Sequence, residues 1–148
     1  MAASLENVQF RSATKADIPF LLELRRQSMS AHLKASGVDP TDAERLERVM
    51  ARFECAQIVS VDGEPIGLLK IDNEGNQWEL LQLQILPAKQ NAGIGGAILK
   101  ELLVEAAKAN ASITLSVLKA NPARAFYERF GFHVTSEDAY SFRMHFAK

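Results

Sequence analysis

A single cysteine, Cys55, in 148 residues excludes an internal disulfide and suits a reducing compartment. Its neighbours Phe53, Glu54 and Ala56 bring no cation beside the thiol, so it reads as inert. Long hydrophobic runs are missing as well. The greasiest stretch, Leu80 to Ala88, is interrupted by Gln82, Gln84 and Pro87 and falls short of the ~20 apolar residues of a membrane span. Met1 to Glu6 contain neither the basic nor the apolar segment of a signal peptide, so a soluble, cytoplasmic protein with no membrane partner is expected. Neither sign of charge is in excess. Seventeen Lys+Arg face 18 Asp+Glu, and a net charge of -1 lacks the positive field of a nucleic-acid binder. His32, His133 and His145 have no metal-ligand spacing, and no metal is expected. No repeat, low-complexity tract or Pro/Gly/Ser-rich linker divides the chain, which reads as one domain over residues 1–148.

What is present is an ordinary globular mixture, 47% hydrophobic and 24% charged. A chain of this length buries roughly 68–70% of its unfolded surface and needs no staples. Val8 to Arg11 alternate as a short strand, and Thr14 or Asp17 caps a helix whose face is Ile18, Leu21, Leu22 and Leu24–Arg25. Ser28 to Pro40 is a mixed stretch with Gly37 and Asp39-Pro40 as breakers. A second helix, about Thr41 to Phe53, aligns Leu46, Val49, Met50 and Phe53. Ile58–Val61 and Ile66–Ile71 form a hairpin about Asp62-Gly63, and Trp78 to Leu86 is a long strand. A helix from about Gly95 to Ala109, a strand Ile113–Leu118, and a helix opened by Asn121-Pro122 and closed near Gly131 follow. Phe132–Val134 and Ser141–Phe146 supply the last strands. The order β-α-α-β-β-β-α-β-α-β-β points to a mixed sheet with helices on both faces.

Gln90-Asn91-Ala92-Gly93-Ile94-Gly95-Gly96 joins a strand to a helix. Such a turn presents unpaired backbone N–H groups at a positive helix end and admits a close anion, phosphate or pyrophosphate. The bland alternative is a tight, well-packed turn. A dinucleotide fingerprint needs glycine where Ile98 stands and an acidic residue near Leu115 to Lys119, where there is none. A P-loop needs Gly-Lys-Ser/Thr where the chain reads Gly96-Ala97-Ile98.

Two blocks remain: Leu83-Gln-Ile-Leu-Pro87 running into Gln90-x-x-Gly-x-Gly, and Asn121-Pro-Ala-Arg-Ala-Phe-Tyr127-x-x-x-Gly-Phe132. In this order and spacing the sequence resembles the GNAT superfamily of acyl-CoA-dependent N-acetyltransferases, over nearly its whole length in element order. The resemblance implies an α/β (α+β) fold. Its mostly antiparallel sheet has about seven strands, helices on both faces, and a cleft where the fourth strand splays from the fifth. It implies acetyl-CoA as co-substrate and an amine acceptor, small molecule or peptide; dimers are common on this fold, so a homodimer stays open. By that likeness the backbone of Leu83, Gln84 and Ile85 pairs with the pantetheine, and Asn121 reaches it too. Backbone N–H groups of Gln90, Asn91, Ala92, Gly93, Ile94, Gly95 and Gly96 take the pyrophosphate. The family often has a base near the turn's first position. Here Gln90, Asn91 and Ala92 are neutral and Lys89 is the nearest cation, so binding leans on the backbone.

Acetyl transfer needs a neutral amine, a polarised thioester oxygen and a proton for the leaving thiolate. Tyr127 is the candidate acid, at a position where many family members carry one; the bland reading is an aromatic packed with Phe126 and Phe130. Asn121 is also an N-cap, worth ~1 kcal/mol over Ala without any cofactor. Glu79 matches a position where many of these enzymes hold a carboxylate base, which partial burial would tune; otherwise it is a strand-end Glu facing solvent or paired to a cation. His32 reads mainly as a surface residue, though its segment often lines the acceptor side in this family. His133 and His145 read as structural, Arg25-Arg26 as a solvated helix end and Trp78 as core. Ser28 to Pro40 and Asp138 to Phe142 are expected to shape the acceptor pocket. The expected function is acetyl transfer to a primary amine by direct attack in a ternary complex. A non-catalytic acyl-CoA-binding module, or a structural domain, is the alternative on the same fold.

Overall fold

Alternation along the strands divides the apolar residues between two cores, one on each face of a sheet. The computed structural model describes residues 7–35, 40–90 and 93–146, the side chains of 29–35 apart. In chain order the elements are β1 Val8–Ser12, α1 Ile18–Ala35, α2 Asp42–Met50, β2 Ala56–Val61, β3 Glu64–Asp72, β4 Gln77–Ile85, α3 Ile94–Lys108, β5 Ser112–Leu118, α4 Ala123–Arg129, β6 His133–Glu137 and β7 Ser141–Phe146. The strands lie in the order β1-β2-β3-β4-β5-β7-β6, and only β4 with β5 is parallel. This is the mixed, mostly antiparallel, seven-stranded sheet expected.

One core joins Leu21 and Leu24 of α1 and Val49 of α2 to Ile58 and Leu68 of the sheet. The other packs Ile98, Leu99 and Ala106 of α3 and Tyr127 of α4 against Leu69, Leu80, Ile113, Leu115 and Met144. The helix pairs α1–α2 and α3–α4 therefore cover opposite faces. The hairpin turn Asp62-Gly63 has φ of 51° and 83°, the positive pair that matches the twist of two antiparallel strands.

Two boundaries differ from the sequence reading. Helix α1 runs on through Ser28 to Ala35, because Met29, Ala31, Leu33 and Lys34 are good helix formers and the breakers lie beyond it. Helix α2 stops at Met50, and the chain turns at Arg52, whose φ is 51°, into a short 3-10 turn at Phe53–Cys55. The buried Lys70 closes that end: its Nζ donates to the carbonyls of Ala51 at 2.7 Å, Val49 at 3.2 Å and Arg48 at 3.4 Å.

Asp17 ties β1 to the start of α1. Arg11 donates to both its oxygens, at 2.7 and 2.8 Å, and the Thr14 N–H adds a bond of 2.8 Å. The Arg11 bonds above all, with Thr14 assisting, hold the carboxyl down to about 2, against ~3.9 in an unfolded chain. A depressed carboxylate stabilises the fold above its unfolded pKa and loses that contribution as pH falls toward the folded one. Urea midpoints taken at about pH 6 and about pH 3 should therefore fall less for Asp17→Asn than for the wild type; equal drops would remove Asp17 from the acid response.

Candidate active site

Strands β4 and β5 pair only from Gln77 beside Ser112 to Leu80 beside Leu115. The cause lies on the other edge of β4. Lys70 faces Gln82 and Ile71 faces Leu80, so Leu81 is an extra residue without a partner in β3. A bulge of this kind bends and twists its strand. Beyond it β4 continues to Ile85 and β5 to Leu118 with a gap between them.

The gap opens into a cleft of about 790 Å³ walled by Leu80–Ile85, Leu115–Leu118, Gly93–Gly96, Asn121 and Tyr127. Its size is that of a small-molecule site. Leu86 donates to Ile66 O at 2.8 Å, which sets the alternation of the β3–β4 ladder. Gln84 and Gln82 bond toward β3, and Leu83 and Ile85 turn their backbone groups into the gap. The expectation grouped Leu83, Gln84 and Ile85 together; the ladder separates Gln84 from the other two.

The glycine turn meets the cleft at the N-terminus of α3. Gly93 takes φ of 78°, a left-handed conformation, and the first bond of the helix runs from the Ala97 N–H to Gly93 O at 3.0 Å. Among the described residues, the N–H groups of Gly93, Ile94, Gly95 and Gly96 thus have no helical acceptor. Gly95 lines the cleft, and a Cβ there would meet nothing within 4 Å. That open space beside N–H donors fits a diphosphate. Asn91 and Ala92 lie outside the described residues. Gln90 differs from expectation. Its backbone N–H is bound to Pro87 O at 3.2 Å, and its side-chain amide donates to Ile85 O at 2.9 Å, so it fastens the turn to the end of β4.

Tyr127 is 9% exposed, and its ring lies edge-on to Phe126 and Phe132, with centroids 5.3 and 5.7 Å away. Its hydroxyl has no protein partner among the described residues, and burial pushes it up to about 12. Asn121 on the same wall accepts the Ala123 N–H on its Oδ1 at 2.9 Å and so caps α4.

A family model described as Acetyltransferase (GNAT) domain matches residues 26–146. The chain belongs to the GNAT acetyltransferase family. No curated protein matches it. Among solved structures this GNAT chain is similar in fold to the PaiA N-acetyltransferase of Thermoplasma acidophilum in complex with coenzyme A, with TM-score 0.72 and 21% identity over 95% of this chain and 99% of that one. It is similar to an acetyltransferase of Thermus thermophilus, with TM-score 0.74 and 19% identity over 95% and 96%. The ribosomal-protein-S18-alanine N-acetyltransferase of Escherichia coli gives TM-score 0.68 and 16% identity over 94% and 92%.

Two charged residues remain: Glu79, which pairs with a cation as one reading of the sequence had it, and Arg25, which stands in surroundings that reading did not foresee. Glu79 is half-buried, and its side chain accepts from Arg143 at 3.1 Å. The helices α1 and α2 pack on β2, β3 and β4, and Glu79 with Arg143, Thr114 and Ser116 forms a polar floor beside them. Glu79 is not among the cleft-wall residues. Arg25 is not a solvated helix end. It is 8% exposed and lines the cleft with Ser28 and Arg48, whereas Arg26 lies outside and pairs with Glu23. The signal was present: Leu21, Leu24, Arg25 and Ser28 share one helical face. His32 lies in α1, with its side chain outside the described residues. No group of three or more metal-ligating side chains occurs among the described residues.

Proposed function

We propose that this chain moves an acetyl group from acetyl-CoA to a primary amine by direct attack, with both substrates held in the cleft. What carries the reading is one juxtaposition at the parting of β4 and β5: the unpaired edge of a strand beside the hydroxyl of the buried Tyr127, which has no partner among the described residues. Acetyl-CoA supplies the activated thioester. Leu83 offers its N–H and carbonyl, and Ile85 its N–H, to the pantetheine amides, with Gln84 locking the strand to β3 and Asn121 on the facing wall. The N–H groups at Gly93 to Gly96, continuing the turn from Gln90, Asn91 and Ala92, cradle the diphosphate.

As the amine nitrogen bonds to the acetyl carbon and the carbon–sulfur bond breaks, Tyr127 donates its phenolic proton to the leaving sulfur. Glu79 receives the amine's proton through water, at the open floor beside the cleft. Cys55 takes no part, since it lies at the α2–β2 junction away from the cleft wall.

The direct test is thiol release from acetyl-CoA across a panel of primary amines. Release with at least one amine is the expected result; tight coenzyme binding with no release for any would make the chain a non-catalytic acyl-CoA module. The cradle has its own test. Valine is no worse than glycine inside a helix, and a Cβ at position 95 meets nothing within 4 Å. Gly95→Val should therefore keep the wild-type Tm and lose most of the thermal stabilisation by CoA, which is about 2.7 kcal/mol at 100 times the Kd. Full stabilisation of a folded Gly95→Val protein would place the diphosphate elsewhere.

A further inference from the structure

Among the described residues, nothing answers the charge of Arg25. Its Nη1 is buried without a hydrogen-bond partner, and so is the Oγ of Ser28, one turn further along α1. The charges that act on it, from Arg48 and Arg45, are also positive, and Arg25 acts in turn on Lys70. Two of these cations are already satisfied: Arg45 pairs with Asp42 at 2.9 Å, and Lys70 is bound by the carbonyls at the end of α2. Arg25 and Arg48 have no carboxylate in reach among the described residues, and both line the cleft. Burial, with Arg48 and Arg45 adding to it, lowers the guanidinium to about 10, so it stays a cation at neutral pH.

An unanswered buried ion opposes folding by several kcal/mol. A fold that keeps one at a cleft wall has a place for an anion from outside. The diphosphate of the coenzyme is not that anion. Arg25 belongs to the helix pair packed on one face of the sheet, and the glycine cradle belongs to α3 on the other. The cleft passes between them, and the second substrate is the one that meets Arg25.

Resting on the acetyl-transfer reading, we propose that the acceptor is an amine that carries a carboxylate, held at the α1 mouth of the cleft by the Arg25 guanidinium with Ser28 and Arg48 beside it. The planar guanidinium matches a carboxylate with two parallel bonds, and the Ser28 hydroxyl adds a third donor. Orientation follows, since an amine tethered to a fixed carboxylate reaches the acetyl group in a narrow range of poses.

The test pairs free amino acids, β-alanine and γ-aminobutyrate with their carboxamides, which have the same amine and no charge. Acids should be acetylated about 30-fold or more better than their amides in kcat/KM. Arg25→Met should abolish that preference while leaving the CoA affinity unchanged, and Arg25→Lys should retain part of it. Because methionine removes an unpaired buried charge, the Tm of Arg25→Met should equal or exceed the wild type's, which separates loss of binding from loss of fold. Amides that react as well as acids, or an Arg25→Met variant that keeps the preference, overturn the proposal. If no amine releases thiol, the acetyl-transfer reading fails first, and binding decides the rest. Thermal stabilisation by the acids in wild type and not in Arg25→Met would keep the carboxylate site; none in either would remove it.

Discussion

Tyr127→Phe is expected to lower turnover about 100-fold, at the lower end of what a positioned acid contributes, with coenzyme affinity unchanged. The substitution is unusually clean. Phenylalanine keeps the ring against Phe126 and Phe132. The lost hydroxyl has no protein partner among the described residues, so its removal orphans no donor or acceptor in the wall. Stability should therefore hold or rise slightly, and a slow enzyme cannot be ascribed to a loosened one. Burial, by raising the phenol to about 12, keeps it protonated across the working range. The acid form is thus always ready, and the group is a poor base. Wild-type activity should consequently show no alkaline decline from this residue below about pH 11; its pH limbs should come from the amine and its proton acceptor. Measured kcat and KM for each competent amine, with CoA binding beside them, settle the role: wild-type kcat in Tyr127→Phe with all of them would return the residue to packing alone.

The parts of this molecule that short-range rules govern were readable along the chain. Asp62-Gly63 makes its hairpin, Asn121 caps the helix that Pro122 enters, and Leu80 and Leu115 alternate into the same core. The parts that depend on distant neighbours were not. Glu79 and Arg143 are 64 residues apart in sequence, and no local pattern announces their pairing. Gln90 reads as a ligand for phosphate until the end of β4 is seen to curl under it, offering the Ile85 carbonyl. Arg25 shows both limits together. Its place on the Leu21–Leu24 face was visible from helical spacing, but a charged residue on an apolar face reads as solvated unless the cover above it is known. That cover comes from α2, which packs on α1 and brings Arg45 and Arg48 near it.

Gly67→Ala is expected to destabilise the fold by about 3 kcal/mol, at the upper end for overpacking, and to weaken coenzyme binding with it. This glycine is not a turn residue and has no positive φ. Its need is space: a Cβ at 67 would sit 2.8 Å from Ile85 Cδ1 and closer still to the backbone oxygen of Gln84. Ile85 Cδ1 is the far end of a side chain, but the carbonyl of Gln84 is backbone held in the β3–β4 ladder and cannot give way. Strand β4 must then shift where it faces the cleft, at Leu83 and Ile85. For a chain of this size the loss corresponds to a Tm lower by roughly 10 °C. The pairing of effects is what distinguishes the site from its scaffold. Gly95→Val should impair binding on an intact fold, Tyr127→Phe turnover with binding intact, and Gly67→Ala stability and binding together through one displaced strand. A Gly67→Ala protein with the wild-type urea midpoint and CoA affinity would mean that β4 is freer to move than its register allows.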